Sequence, residues 1–345
     1  MIQEAMDVQL LQKRSRIIRS VRYFFDGCGY LETDTPLLSP DLIPESCLEV
    51  FETQRIFPSG SARGQIRNAQ ACYLIPSPEI WMKKLIAQHR VSLYQVCKSF
   101  RNGESSGRIH SPEFTMLEYY TMDADYKDSL RITEEFFEYL LPLAIDAAAA
   151  PSLEELRPPF IRISIEEAFE KWAGFNLFEA VERGALAGEA RRLGLEIGAG
   201  LGDAEIYDLI FIHAVEPCLP RERPVALIDY PAFVPCLAKK SADRKTVERW
   251  ELYVRGIELA NCFSEETDPQ EVRRFFALES AVKERSALVP HRVDHDYWKI
   301  FLPKEVQGRQ MPFPRCSGVA LGLDRLIMAL TGKASIDSVL PFPMS

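Results

Sequence analysis

The stretch FRNGESSGRIHSPEFTMLEYY, residues 100 to 120, constrains the fold more than any other part of the chain. Its second half alternates, with Phe114, Met116, Glu118 and Tyr120 on one side and Thr115, Leu117 and Tyr119 on the other. A period of two keeps the two sets on opposite faces of a strand and would mix them on a helix. VSLYQVCKSF before it reads as a second strand. The segment between them is rich in Gly and Ser and has no helical pattern, so the two strands are expected as antiparallel neighbours. The Phe114 face also carries the polar Glu118 and Tyr120, which marks the wall of a cavity more than a packed core.

The rest of the chain can be placed around this pair. Residues 10 to 29 carry Leu11, Ile18, Val21, Phe24 and Phe25 at roughly helical spacing, with Arg14, Arg16, Arg19 and Arg22 between them. Gly27 and Gly29 end that helix. YLETDTPLL follows as a strand whose pairing Pro36 limits, and CYLI (72 to 75) reads as a short strand. Ser77 is a natural N-cap, Pro78 suits the first helical position and Glu79 the helix dipole, for a helix through WMKKLIAQ. Residues 128 to 147 form a helix running into AIDAAAAP, a surface linker. Residues 164 to 219 form a helical insert, and RPVALIDYP is a buried-type strand. KTVERWELYVRGIELANCF is a hairpin turning near Arg255–Gly256. A charged helix covers 270 to 287, and CSGVALGLDRLIMAL runs from strand through glycine into helix. Strands paired by hairpins with helices between them predict an α+β fold, an antiparallel sheet flanked by helices. With no repeat and no clean boundary, residues 1–345 read as one domain.

Composition removes several functions. A net charge of −9 without a basic footprint weighs against nucleic acid as the main partner. Eight cysteines without a CxxC pair weigh against zinc, and several lie in apolar runs as core residues of a reducing compartment. The N-terminus lacks the apolar core of a signal peptide, and no run of about 18 apolar residues is present, so a cytoplasmic protein is expected. EIGAGLGDAE imitates a dinucleotide fingerprint, but Asp203 stands where its third glycine belongs, and it reads as a turn between helices. Without a GxxxxGK[ST] loop, ATP phosphates would have to be held by side chains.

Three segments resemble, in order, the signature motifs of the class II aminoacyl-tRNA synthetases: LETDTP (31 to 36), FRNGESSGRIHSPEF (100 to 114) and GVALGLDRL (318 to 326). SPE (77 to 79), HSPEFTMLEYY, WELYVRGIELANCFSEETD (250 to 268) and GLDR (322 to 325) narrow the resemblance to the lysyl branch. The first motif begins near residue 10, which leaves no room before it for an anticodon-binding barrel. ELAN and SGVALG then look most like the elongation factor P–lysine ligases, whose lysyl adenylate acylates a lysine of that factor. The alternatives are a truncated lysyl-tRNA synthetase-like enzyme charging another acceptor, and an inactive lysine-binding regulator.

The chemistry of adenylation and the resemblance together assign roles. Bringing a carboxylate to an α-phosphate requires positive charge where the pentavalent phosphorus develops. Arg101 suits that task and Arg325 would hold the γ-phosphate, although either alone also reads as a surface salt bridge. Phe114 would stack on adenine, with Asn102, Glu104, His110, Ser111, Leu259 and Gly322 around the nucleotide. Glu251 and Glu258 across the hairpin would hold Mg²⁺. The resemblance implies Ser77, Pro78 and Glu79 at the amino acid's α-ammonium, and Glu118, Tyr120 and Glu265 at its side-chain ammonium. Asn261 and Phe263 would line the substrate floor, and Ala320 would shape the space around the amine in a way compatible with (R)-β-lysine. Glu258 and Asn261 have opposite strand parity, so a bulge must separate them if both face the site. Gly103 replaces the glutamate that usually follows Arg–Asn, with Glu104 next. The first helix and strand resemble the class II dimer interface and imply a two-fold homodimer.

Overall fold

A computed structural model describes residues 6–58, 66–103, 107–144 and 153–343. The chain begins with α1 (Val8–Gly27), β1 (Leu31–Glu32), β2 (Leu38–Ser39), β3 (Phe51–Pro58) and β4 (Ile66–Leu74). It continues through α2 (Glu79–His89), β5 (Leu93–Phe100), β6 (Glu113–Met122), α3 (Tyr126–Ala144) and β7 (Ile161–Ser164). The insert holds α4 (Ile165–Ala168), α5 (Leu177–Glu182), α6 (Leu186–Arg192) and α7 (Asp203–Ile210). There follow β8 (Val225–Pro231), β9 (Thr246–Val254), β10 (Ile257–Ser264) and α8 (Pro269–Ser286). The last elements are β11 (Lys304–Val306), β12 (Arg309–Met311), β13 (Cys316–Gly322) and α9 (Leu323–Thr331). The chain divides into two compact units. One spans the N-terminal part to Asp123, Thr267–Arg315 and the part from Ala320 onward; the other spans Ala124–Glu266 and Cys316–Val319.

In the first unit β5 lies between β1, parallel, and β6, antiparallel. The register sets Ser99 opposite Phe114, Gln95 opposite Glu118 and Leu93 opposite Tyr120, so the two faces of β6 fall as the alternation requires. Helix α1 covers the other face: the Phe25 ring lies 4.7 Å from Tyr119 and 5.2 Å from Tyr94. Asp7 caps α1 by accepting the Gln9 and Leu10 amides, and the helix ends at Gly27. One residue departs from the expected stripe. Arg14, one of the arginines between the apolar residues, is itself buried and ion-paired with Asp324 at 2.6 Å.

YLETDTPLL does not form one strand. It makes the two short pieces β1 and β2, and the chain between them is held by Gln95, whose Oε1 accepts the Thr35 amide at 3.1 Å. CYLI is the end of the longer β4, which pairs with β3, a strand the sequence reading did not pick out. The linker AIDAAAAP falls almost wholly outside the described residues.

In the second unit the strand order is β13, β10, β9, β8, β7, with the first half of β13 belonging to this unit. The insert is helical as expected, and Phe169, Tyr207, Ile210 and Phe211 pack on Val225, Leu227, Val247 and Tyr253 of the sheet. EIGAGLG (196 to 202) lies in the connection between α6 and α7, and DAE opens α7. Among the described residues no helix is long and apolar enough to cross a membrane.

Candidate active site

The SPE segment opens α2. The helix begins at Glu79, one residue later than the sequence implies, with Pro78 in the cap position. Ser77 Oγ still accepts the Glu79 amide, at 3.1 Å. Glu79 is ion-paired with Lys83 one turn on, at 2.5 Å, and the Lys83 side chain is only 1% exposed. A lysine so buried needs an anion, and a glutamate four residues earlier can supply one on the same helix face.

Arg101 leaves the end of β5, its amide bound to the Pro112 carbonyl at 3.0 Å. Its guanidinium lies 5.4 Å from the centre of the Phe114 ring. Asn102 latches the loop to the start of β3: its amide donates to Glu49 O at 2.9 Å and its Nδ2 to Val50 O at 3.2 Å. Gly103 has φ +68°, and a Cβ there would lie 3.3 Å from Glu49 Cγ, so this backbone disfavours the glutamate usual at that position. Glu104 lies outside the described residues. Beyond the loop, Ser111 is buried and His110 is half-buried. Glu118, 2% exposed, accepts a hydrogen bond from Tyr120 at 2.7 Å.

Gly322 caps α9, and Arg325 Nε donates to Ile109 O at 3.1 Å, which holds the guanidinium beside the residue preceding His110. Ala320 and Gly322 share one face of β13 and are both half-buried. The neighbouring Asp324 is structural. Buried against Arg14, it accepts the Thr115 amide at 2.6 Å and thereby ties α9 to the back of β6.

The second unit carries the hairpin. β9 turns into β10 through Arg255 (φ 53°) and Gly256 (φ 76°), the two left-handed residues of a tight hairpin turn. Asn261 pairs with Glu251, Phe263 with Arg249 and Glu258 with Tyr253, and the register shifts between Glu258 and Ala260. Leu259 is therefore the buried residue of a bulge, and Glu251, Glu258, Asn261 and Phe263 share a face, as the parity argument requires. A second shift, between Ile228 and Tyr230 of β8, leaves Asp229 at φ 60° and lets the Tyr230 hydroxyl reach Glu251. Glu265 follows β10; it is 3% exposed, with its amide on Cys316 O at 3.0 Å.

Glu251 is tightly held on this face. It is buried; Oε2 accepts from Tyr230 at 2.7 Å and Tyr253 at 2.9 Å, while Oε1 is ion-paired with Arg249. Arg249 in turn lies 4.4 Å over Tyr230 and 5.5 Å from the centre of Phe263. Burial and the neighbouring Glu251 push the Tyr230 and Tyr253 hydroxyls well above the usual tyrosine range, so both remain donors. Sequence reasoning missed Arg249, although it stands two residues before Glu251 on one strand face.

A family model described as tRNA synthetases class II (D, K and N) matches residues 2–345. The chain belongs to that family. Similar curated proteins include an elongation factor P–(R)-β-lysine ligase of Photobacterium profundum, 34% identical over 99% of this chain and 98% of its own length. Another of that name, from Avibacterium paragallinarum, is 34% identical over 97% of this chain and 95% of its own. A lysine–tRNA ligase of Pelotomaculum thermopropionicum is 32% identical over 97% of this chain, which spans 63% of its length.

Within this class II family member the Glu251–Glu258 pair offers hard oxygen donors, and among the described residues no group of three or more metal-binding side chains competes with them. Mg²⁺ suits such a pair, because it keeps waters and shares phosphate oxygens. Glu251 would hold the ion through an oxygen released by Arg249, and the ion would then balance the carboxylate's charge in place of the guanidinium.

Proposed function

We propose that the chain activates lysine or (R)-β-lysine with ATP and transfers the resulting acyl group to a lysine side chain of elongation factor P. What carries this reading is the β5–β6 face of the first unit. It sets the Arg101 guanidinium over Phe114 at one end and the buried Glu118–Tyr120 pair four and six residues further along the strand. The cation suits a phosphate and the aromatic ring a purine, while the buried acid suits an ammonium group. Glu79, held by Lys83, would meet the substrate's amine. Arg325 would bind the triphosphate beside His110, with Asn102, Ser111, Leu259 and Gly322 in supporting roles. Asn261, Phe263, Glu265 and Ala320 are assigned to the amino acid, following the family resemblance.

In the first step the amino acid's carboxylate oxygen attacks the α-phosphorus, and pyrophosphate leaves. Arg101 stabilises the added charge on phosphorus, and Glu118 fixes the far ammonium so that the carboxylate is aimed. Glu258 and Glu251 would hold Mg²⁺, whose chemistry when bound is to offset phosphate charge. Charging of tRNA is the second reading, favoured by the similarity to a lysine–tRNA ligase and disfavoured by the net charge of −9. The test is ATP–pyrophosphate exchange with each amino acid, in the wild type and in Arg325→Ala. Exchange that depends on lysine or β-lysine and disappears in the variant supports the assignment; near-normal exchange in the variant overturns it.

A further inference from the structure

Glu45 lies in the PESCLE loop before β3, a segment the reading above gives no role, and the fold goes to some length to fix that loop. Lys283 of α8, itself buried, donates to the Glu45 carbonyl at 2.9 Å and also to the Leu48 carbonyl. Glu279 of α8 accepts the Ser46 amide at 3.0 Å. The Glu49 carboxylate accepts the Leu288 and Val289 amides at 2.8 and 3.0 Å, and Glu49 O takes the Asn102 amide at 2.9 Å. The loop is thus tied to the residue that follows Arg101. The Glu45 carboxylate, half-buried, has no hydrogen bond or ion pair among the described residues.

Its surroundings locate it. Glu45 stands within charge–charge range of Glu79 and Lys83 on α2, Arg101 after β5 and Lys283 on α8, and of Cys47 on its own loop, which Glu279 also faces. On the reading proposed above, Glu79 marks the substrate's amine and Arg101 the α-phosphate. In an aminoacyl adenylate the carbonyl carbon lies between those two groups, one or two carbons from the amine and one oxygen from phosphorus. A side chain whose charge is felt by both markers, on a loop whose Glu49 carbonyl takes the amide of the residue after Arg101 at 2.9 Å, borders the region of the carbon that reacts in the second step. We propose that Glu45 is the general base of acyl transfer, taking the proton from the acceptor lysine.

The step balances. The acceptor's ε-ammonium gives one proton to Glu45, and the freed nitrogen attacks the carbonyl carbon. The C–N bond forms as the C–O bond to phosphate breaks, the electron pair leaves on AMP, and one of the two protons still on the attacking nitrogen passes to the AMP phosphate while the other stays on the new amide. Withdrawal from water and the nearby Glu79 push the Glu45 carboxyl up to about 7, where a carboxylate is basic enough to accept that proton near neutral pH.

The proposal rests on the adenylate reading, and the two can fail separately. The test is pre-steady-state transfer from preformed adenylate to elongation factor P, beside pyrophosphate exchange, for the full-length wild type, Glu45→Gln and Glu45→Asp. The expected result is transfer slowed at least 50-fold in Glu45→Gln, with exchange changed less than 3-fold and partial recovery in Glu45→Asp. The wild-type transfer rate should rise with pH through about 7, and that inflection should vanish in Glu45→Gln. Transfer within 3-fold of wild type overturns the proposal. A parallel loss of both steps with a raised amino-acid KM also overturns it, and makes Glu45 a binding residue. Absence of adenylate in the wild type would instead remove the reading beneath it.

Discussion

Replacing Arg249 by methionine would leave the Glu251 carboxylate buried with two tyrosine hydroxyls and without the cation that now balances it. Removing one partner of a buried pair costs about 3–5 kcal/mol; urea denaturation of the ligand-free protein should show a loss at the lower end, since water reaches part of this pair. Unchanged stability would mean that Arg249 is not the counter-ion. Glu45 carries a second prediction. Its carboxyl is raised from 4.5 to about 7 on folding, so its contribution is fully present below pH 4.5 and is lost as pH rises through 7. Glu45→Gln should therefore gain stability over wild type between pH 5 and 8. The gain should be about 1–2 kcal/mol, from 1.36 kcal/mol per unit discounted for partial solvent access. A difference independent of pH would contradict the burial argument. These residues also show what the sequence leaves unread. Glu79, Arg101 and Glu118 stand in recognisable motifs, whereas Glu45, Lys83, Arg249 and Asp324 take their meaning from partners that only folding brings near.

At the scale of elements, periodicity was most informative where one face is buried. The alternation of β6 predicts its register, and the length of VERWELYVRGIELAN predicts a hairpin with its turn at Arg255–Gly256. Even the bulge at Leu259 was legible, because two residues of opposite parity were assigned to one face. The bulge at Asp229 was not, since nothing in VALIDYP signals a left-handed aspartate. β1, β2 and β3 were misread because two-residue strands have no period to detect and FETQRIF is mostly exposed. The hairpin turn gives a direct test. Gly256 sits at φ 76°, and a Cβ there would lie 3.2 Å from Arg221 Nε. Gly256→Ala should cost about 1–2 kcal/mol, the price of a left-handed backbone for a residue with a side chain. A loss under a few tenths would mean that the turn adopts another conformation.

At the scale of the molecule, the family and the α+β architecture were both legible, because the motifs come in order along nearly the whole chain. The division into two compact units was not, because both are assembled from separated segments that exchange within β13. Tyr23, Leu31 and Leu38, on α1, β1 and β2, are large apolar residues exposed in the single chain. We propose that they are covered in a two-fold homodimer; light scattering should give twice the chain mass, and Tyr23→Glu should lower it, whereas a wild-type monomer at micromolar concentration would contradict this. The central claim is the acceptor. The enzyme should be given ATP, labelled (R)-β-lysine or α-lysine, and elongation factor P and tRNA together, and the label followed by mass spectrometry and acid precipitation. The account predicts label on one lysine of the factor, with AMP released in equal amount and tRNA uncharged. Label on tRNA alone, or no AMP formed with either amino acid, would contradict it.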